Sequence, residues 1–166
     1  VIAAVQNAVT DTGNEVLNKQ IYLGALKYEL LKYVLGGDIA FDPQNSVSMQ
    51  GNSGPYIQYA HARACSILAK VTDELHGDVA FDAAERILVQ KLSQYLAIVE
   101  QATKSLETHS VCNYLYELAG VFNAFYEKSR VVGDERETIR AAIVRVYRDT
   151  LADGLSLLGI DAPDRI

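Results

Sequence analysis

One short stretch, QGNSGPYIQYAHAR over residues 50–63, carries the residue types best able to bind a flat, anionic ligand. Tyr56, Tyr59 and Arg63 are spaced i, i+3 and i+7, so a helix opened by Pro55 places them along one face. Aromatic rings on such a face can stack an exposed RNA base, while an arginine holds the backbone. Free N–H groups at the helix start would favour an anion as well. The alternative is packing, because tyrosine is often a half-buried core residue.

Catalytic and metal-binding patterns are missing from the sequence. The GNSG segment lacks the lysine of a phosphate-binding loop, and no strand–turn–helix context supports a nucleophilic serine. His61, His76 and His109 lie far apart without ligand spacing, and His61 occupies another helix face, where a buried histidine is the simple interpretation. Cys65 and Cys112 are typical of reduced core cysteines. We therefore expect no catalytic residue, metal or cofactor in this chain.

The charge is unevenly distributed. The chain of 166 residues carries a net charge of −6, so bulk attraction to nucleic acid or to acidic membranes is not expected. Residues 43–72 nevertheless contain no Asp or Glu, and residues 128–148 contain the six bases Lys128, Arg130, Arg136, Arg140, Arg145 and Arg148 against three acids. Two local basic regions indicate an anion-binding face. The alternative for the second region is an ordinary solvated helix face.

Helical periodicity dominates the apolar residues, and no segment alternates with the period of a strand. The sequence predicts an all-α bundle of about five or six helices. The predicted helices span residues 15–35, 55–72, 82–106, 111–128 and 134–159, and a further helix is already under way at residue 1.

Local signals set the expected helix ends. Gly36-Gly37 should end the first long helix. The pairs Asp82/Glu85 and Asp134/Glu137 should cap two later ones. The irregular stretch GDIAFDPQNSVSMQGNSG separates a helical segment with its connector, residues 1–48, from a bundle of residues 49–166. Because the chain begins inside a helix without Met, we expect it to be a piece of a longer protein.

The stretch GNSGPYIQYAHARACSI resembles the start of the anticodon-binding domain of the arginyl-tRNA synthetase family, often called DALR-type. Four further segments resemble that family in the same order: GALKYELL, DIAFDPQNSVSMQGNSG, CNYLYELAGVFNAFYEKSRVVG and the ending GLSLLGIDAPDRI. The resemblance covers nearly the whole chain and implies the anticodon-binding fold of a class I synthetase. The cysteine enzyme has a similar domain, but QYAHAR together with LLGIDAPDRI favours the arginine enzymes.

The resemblance also implies which residues face RNA. The positions that match are Tyr56, Tyr59, Arg63, Tyr126, Arg130 and Ile166. In the family, the tyrosine matching Tyr126 and the terminal residue matching Ile166 help form the pocket for the central anticodon base. Arg130 stands where some relatives have an aromatic residue, which weakens the expectation of stacking there and allows a phosphate contact instead. Ile166 and Met49 stand where relatives often have Met and Phe, and both changes keep an apolar side chain.

The function implied is recognition of the anticodon arm of arginine tRNA isoacceptors in the cytoplasm. The parent enzyme would attach arginine to tRNA with ATP in a catalytic domain whose His-x-Gly-His and Lys-Met-Ser-Lys-like motifs do not occur here, so this part alone is expected to be inactive. We expect no membrane and no DNA partner. Two alternatives are a helical protein-interaction module without RNA binding, and a small helical enzyme, which would need convergent acid–base or metal-binding residues.

Overall fold

A computed structural model describes residues 2–71 and 80–166. Those residues form helices joined by turns and loops, with no strand among them, which confirms the all-α prediction. The helices are α1 (Ile2–Ala8), α2 (Glu15–Leu31), α3 (Pro43–Ser46), α4 (Gly54–Leu68), α5 (Ala83–Ser93), α6 (Tyr95–Ser105), α7 (Thr108–Lys128) and α8 (Glu137–Leu157). The number exceeds the expected five or six because α3 is a single short turn and the helix predicted over 82–106 is divided in two.

Helix α2 ends at Leu31, four residues before the predicted end at Leu35. The hydroxyl of Thr108 donates to the Leu31 carbonyl over 3.2 Å, so α7 satisfies a group that a longer helix would have bonded to Leu35. Gly36, with φ of +80°, then lies in a separate turn. The predicted end of α4 near Thr72 falls outside the described residues, and α4 itself ends at Leu68.

The break between α5 and α6 was missed by the sequence analysis. The Lys91 carbonyl accepts the hydroxyl of Tyr114 over 2.9 Å and the N–H of Gln94 over 3.2 Å, instead of the N–H of Tyr95 that a continuous helix would supply. Tyr95 packs beside Tyr114, with ring centroids 5.6 Å apart. A long-range contact therefore interrupts a segment whose own propensity is helical.

The predicted caps are realised in two different ways. Asp82 and Glu85 form the reciprocal capping box at the start of α5. Asp134 accepts the Arg136 N–H over 2.9 Å, while the Glu137 carboxylate accepts the N–H of Gly133, so this pair closes the turn before α8 without forming a capping box.

The core lies between α4, α7 and α8, with α5 and α6 packed outside α7 and α2 against α4. Phe122 of α7 stacks flat on Tyr147 of α8, with ring centroids 3.9 Å apart. Tyr28 of α2 is fully buried, and its hydroxyl donates to the Cys112 carbonyl over 2.8 Å. Thus α2, assigned to the 1–48 segment, contributes directly to the core of the bundle. The division at residue 48 itself stays a prediction.

Among residues 2–71 and 80–166, none of the helices combines the length and the apolar character that crossing a lipid bilayer requires.

Candidate nucleic-acid interface

The start of α4 does not offer N–H groups to an anion, contrary to the expectation from the sequence. The hydroxyl of Ser53 accepts the Tyr56 N–H over 3.2 Å, and Pro55 has no N–H to offer. Gly54 and Pro55 are buried, and Gly54 lies directly against the carbonyl of Gly24 in α2. Any ligand of this region must therefore be held by side chains.

Tyr56 and Tyr59 differ in their surroundings although both belong to the tyrosine–arginine face (Tyr56, Tyr59 and Arg63). The Tyr56 hydroxyl accepts an N–H of Asn123 over 2.9 Å, and its ring meets Tyr116 edge-on at 5.7 Å. Partial burial, with Tyr116 nearby, raises the pKa of Tyr56, so its hydroxyl stays neutral at physiological pH. Tyr59 is 45% exposed, so a large part of the residue is open to solvent. Packing explains Tyr56, but it does not explain Tyr59.

Arg63 is fixed by two side chains of α7. Its guanidinium lies over the ring of Tyr126, 4.7 Å from the centroid, and donates to the Asn123 side-chain oxygen over 3.4 Å. Tyr126 in turn stacks on Phe122, with centroids 6.0 Å apart. The structure therefore brings Tyr56, Arg63 and Tyr126 together through Asn123. Asn123 was not among the predicted site residues, although it lies three residues before Tyr126 on the same face of α7.

Arg130 and Ile166 are not joined to this group by any contact recorded for the described ranges 2–71 and 80–166. Arg130 is exposed just beyond α7, and its Nε donates to the Val132 carbonyl over 2.8 Å. Ile166 is half-buried at the end of the C-terminal segment. Their roles toward RNA stay predictions.

The C-terminal segment is anchored on the opposite side of α4. Gln58 donates to the Asp161 carbonyl over 2.9 Å, His61 Nδ1 lies 3.0 Å from the Pro163 carbonyl, and Cys65 donates to the Asp164 carboxylate over 3.5 Å. Helical spacing separates this side of α4 from the tyrosine–arginine face. His61 is buried, as the sequence analysis proposed, and it helps to hold the end of the chain.

His61, Cys65 and Asp164 are also the group whose chemistry comes nearest to a metal site in the described part of the chain. Their ligand atoms lie within 4.8 Å of one another. Burial and the Asp164 carboxylate raise the pKa of the Cys65 thiol to about 11, which favours the thiol that donates to Asp164 over a metal-binding thiolate. The cluster is explained by anchoring of the C-terminal segment. The only sequence signal was the i, i+4 spacing of His61 and Cys65.

Part of the basic region at residues 128–148 is neither an anion-binding surface nor a solvated face. Arg136 and Arg140 both bind the buried carboxylate of Glu85, with N–O distances of 2.5 and 3.0 Å, and Arg140 also reaches Asp82 and Asp134. Hydrogen bonds from Arg136, from the Asp82 backbone and from Arg140 lower the pKa of Glu85 to about 2. These two arginines join α8 to α5, so the expected basic face loses them.

Comparisons with known proteins show which family the chain is similar to. The family described as DALR anticodon binding domain matches residues 57–166. The chain is 36% identical to an arginine–tRNA ligase of Vibrio parahaemolyticus and 40% identical to one of Cutibacterium acnes, over 92% and 88% of its own length. It spans only 28% and 30% of the length of those relatives.

Solved structures show the same similarity. The arginyl-tRNA synthetase of Thermus thermophilus superimposes with a TM-score of 0.88 at 30% identity, covering 99% of this chain and 31% of the other. That of Plasmodium falciparum superimposes with a TM-score of 0.82 at 27% identity, covering 91% of this chain and 28% of the other.

Proposed function

The chain belongs to the family of DALR anticodon-binding domains, and on this premise we propose that it binds the anticodon arm of arginine tRNAs as part of a larger, cytoplasmic arginine–tRNA ligase. In this proposal the attachment of arginine with ATP takes place in a separate catalytic domain. The residues described here hold the anticodon arm and orient the tRNA, and they have no ligase activity by themselves.

The observation that carries the proposal is the contrast between Tyr59 and its neighbours. Tyr59 is 45% exposed, although Arg63, one turn further along α4, is held against Tyr126 and Asn123. A rigid arginine–tyrosine pair next to an open ring can accept an unstacked base without reorganising. Base stacking on one aromatic ring contributes about 1–3 kcal/mol. The remaining positive charge of Arg63 is available for a phosphate or a base oxygen.

The RNA-facing set in this proposal is Tyr59, Arg63 and Tyr126 at the centre, with Arg130 and Ile166 at its edges. Tyr56 supports this set indirectly. Its hydroxyl accepts an N–H of the Asn123 side chain, and the oxygen of the same side chain accepts a hydrogen bond from Arg63. Arg130 lies four residues beyond Tyr126 and would contact a phosphate, while Ile166 would add apolar surface beside the central anticodon base.

The test is binding of a fluorescently labelled anticodon stem-loop of an arginine tRNA, compared with a loop whose central anticodon base is changed. We expect tighter binding of the unchanged loop, and a binding constant that falls steeply as salt increases. Fluorescence anisotropy at several salt concentrations measures both effects.

Equal affinity for the two loops would contradict base recognition by this chain, and no binding of either loop at low salt would overturn the proposal altogether. A labelled stem-loop from a tRNA of another amino acid serves as the control for non-specific attraction.

A further inference from the structure

A second feature of the surface is a basic cleft at the C-terminal end of α4. Its basic residues are Lys70 beyond α4, Arg145 and Arg148 on α8, and Arg165 in the C-terminal segment, and among residues 2–71 and 80–166 the only carboxylate in its lining is that of Asp164. The cleft is open and has a volume of about 690 Å³. Four cations facing one carboxylate stand out in a chain whose net charge is −6.

These cations are little engaged by the rest of the protein. In the described ranges 2–71 and 80–166, Lys70, Arg145 and Arg165 make no ion pair with a carboxylate. Arg148 pairs over 2.7 Å with the adjacent Asp149, whose side chain is 65% exposed, and such surface pairs are weak and exchangeable. Asp164 accepts the Cys65 thiol over 3.5 Å and keeps its negative charge, so one negative charge faces the four cations. The cleft therefore keeps positive charge for a ligand, unlike the Arg136–Arg140 group.

Helical geometry connects one edge of the basic cleft, formed by Ser66 and Lys70, to the tyrosine–arginine face, while Cys65 and Asp164 line another edge. Tyr59, Arg63 and Ser66 follow one another at i, i+4 and i+7 along one side of α4, and Lys70 extends this stripe just beyond the end of the helix. The stripe is about 16 Å long, given the rise of a helix per residue. A strand of RNA a few nucleotides long spans that distance, and it would pass from an open aromatic ring to a group of cations.

We propose that the basic cleft binds phosphate groups of the RNA backbone flanking the nucleotides held at Tyr59. The inference rests on the proposed function, since the Tyr59 face must hold RNA for the backbone to reach the cleft. Arginine guanidinium groups suit this role, because their N–H donors match phosphate oxygens in pairs. A small phosphate ligand fits less well, since such ligands sit in sites that enclose most of their surface, whereas Lys70 and Arg165 are exposed.

The test is the double variant Arg145→Gln with Arg148→Gln, assayed with both anticodon stem-loops described above. We expect binding of both loops to weaken 10- to 100-fold at low salt, while the ratio between them stays unchanged, because phosphate contacts carry no sequence information. A plot of the logarithm of the binding constant against the logarithm of the salt concentration should become less steep, by about 1 to 2 in slope. The matched control is Lys19→Gln with Lys104→Gln, which removes the same charge from α2 and α6.

If the affinities of the arginine variant and of this control differ by less than twofold, the proposal that the cleft binds the RNA backbone is overturned, while the proposed function is unaffected. A loss confined to the unchanged loop would also overturn it, because that pattern belongs to base recognition. If the arginine pair fails to fold, Lys70→Gln with Arg165→Gln replaces it, since both side chains are exposed.

An oligomer of ribose phosphate without bases separates the two proposals. If the protein binds this oligomer and the arginine variant does not, the result supports backbone binding by the cleft. This holds even if the protein binds the two stem-loops equally. Displacement of the oligomer by micromolar inorganic pyrophosphate would indicate a small-ligand site, and would overturn the assignment to RNA.

Discussion

Two tyrosines with the same sequence pattern have different roles at the residue scale. The Tyr56 hydroxyl accepts an N–H of Asn123 and its ring meets Tyr116, whereas Tyr59 is 45% exposed. A helical wheel cannot separate them, because both lie on the same side of α4 and only the position of α7 decides which is covered. The distinction can be tested with one substitution at each position.

We expect Tyr59→Ala to weaken binding of the arginine anticodon stem-loop by about 1–3 kcal/mol and to change stability by less than about 0.5 kcal/mol. The physical reason is the exposure of the ring, which contributes little packing.

Tyr56→Phe should show the opposite pattern. It leaves the Asn123 amide without its acceptor and should cost about 1 kcal/mol of stability. Anisotropy and urea unfolding measure the two quantities. A Tyr59→Ala protein that unfolds readily but binds normally would assign this ring to the core.

The candidate site could be predicted from sequence only where the signal is local. Spacing along α4 identified Tyr59 and Arg63, and the resemblance to known synthetases added Tyr126. Asn123 was missed because a single polar residue carries no pattern, and its importance arises only when α4 and α7 meet. Arg136 and Arg140 were misassigned to a basic surface for the same reason. Their partner Glu85 lies more than fifty residues away in sequence.

At the scale of elements, a helix end that depends on a short sequence motif was predicted correctly, whereas helix ends that depend on tertiary contacts were not. The capping box of Asp82 and Glu85 joins two residues that are only three positions apart in the sequence. The early end of α2 depends on Thr108, and the break after α5 depends on Tyr114. No window of local sequence contains these partners.

The end of α6 offers a direct test of backbone strain. Leu106 adopts the left-handed conformation, with φ of +57°, and its side chain is 75% exposed. Leu106→Gly should therefore raise the free energy of unfolding by about 0.5–1 kcal/mol, since relief of the left-handed strain exceeds the entropic cost of glycine. Ile87→Gly, within α5, is the control and should lower it by a similar amount. A destabilised Leu106→Gly protein would show that the leucine contributes more by its contacts than it costs in strain.

The contact between α5 and α8 should make stability depend on acid. The Arg136 and Arg140 guanidinium groups lower the pKa of Glu85 from 4.5 to about 2. The carboxylate therefore stabilises the folded state fully above pH 4.5, and this contribution is lost as pH falls toward 2. Glu85→Gln should cost about 3 kcal/mol at pH 7, because two buried or half-buried arginines lose their partner.

The difference between the wild-type protein and Glu85→Gln should shrink as the pH decreases from 4.5 to 2, as measured by urea unfolding at each pH. Glu100→Gln removes the same charge from an exposed pair with Lys104 and should change stability by less than about 0.5 kcal/mol. A difference that stays constant over this pH range would contradict the assigned role of the Glu85 carboxylate.

At the scale of the whole molecule, the start of α4, just before the tyrosine–arginine face, packs closely against α2. Gly24 and Gly54 allow the two helices to approach until Gly54 touches the backbone of Gly24. The same contact buries the start of α4 and brings Tyr28 into the bundle core. The all-helical fold followed from sequence periodicity, but this close approach did not, because glycine in a connector is equally typical of an ordinary turn.

Gly54→Ala should reveal how much of the fold rests on that approach. An added Cβ would lie 2.3 Å from the Gly24 carbonyl oxygen and 2.9 Å from Tyr28 Cβ. Neither neighbour can yield without moving α2, so we expect a loss of about 3 kcal/mol in the free energy of unfolding. Gly120→Ala is the matched control. Gly120 is exposed within α7 and has no atom within 4 Å of an added Cβ, so the change should stabilise the protein by up to about 1 kcal/mol. Urea unfolding of the two variants measures this contrast. A Gly54→Ala protein within 1 kcal/mol of wild type would mean that α2 shifts away from α4 at little cost, and that the close approach of the two helices contributes little to stability.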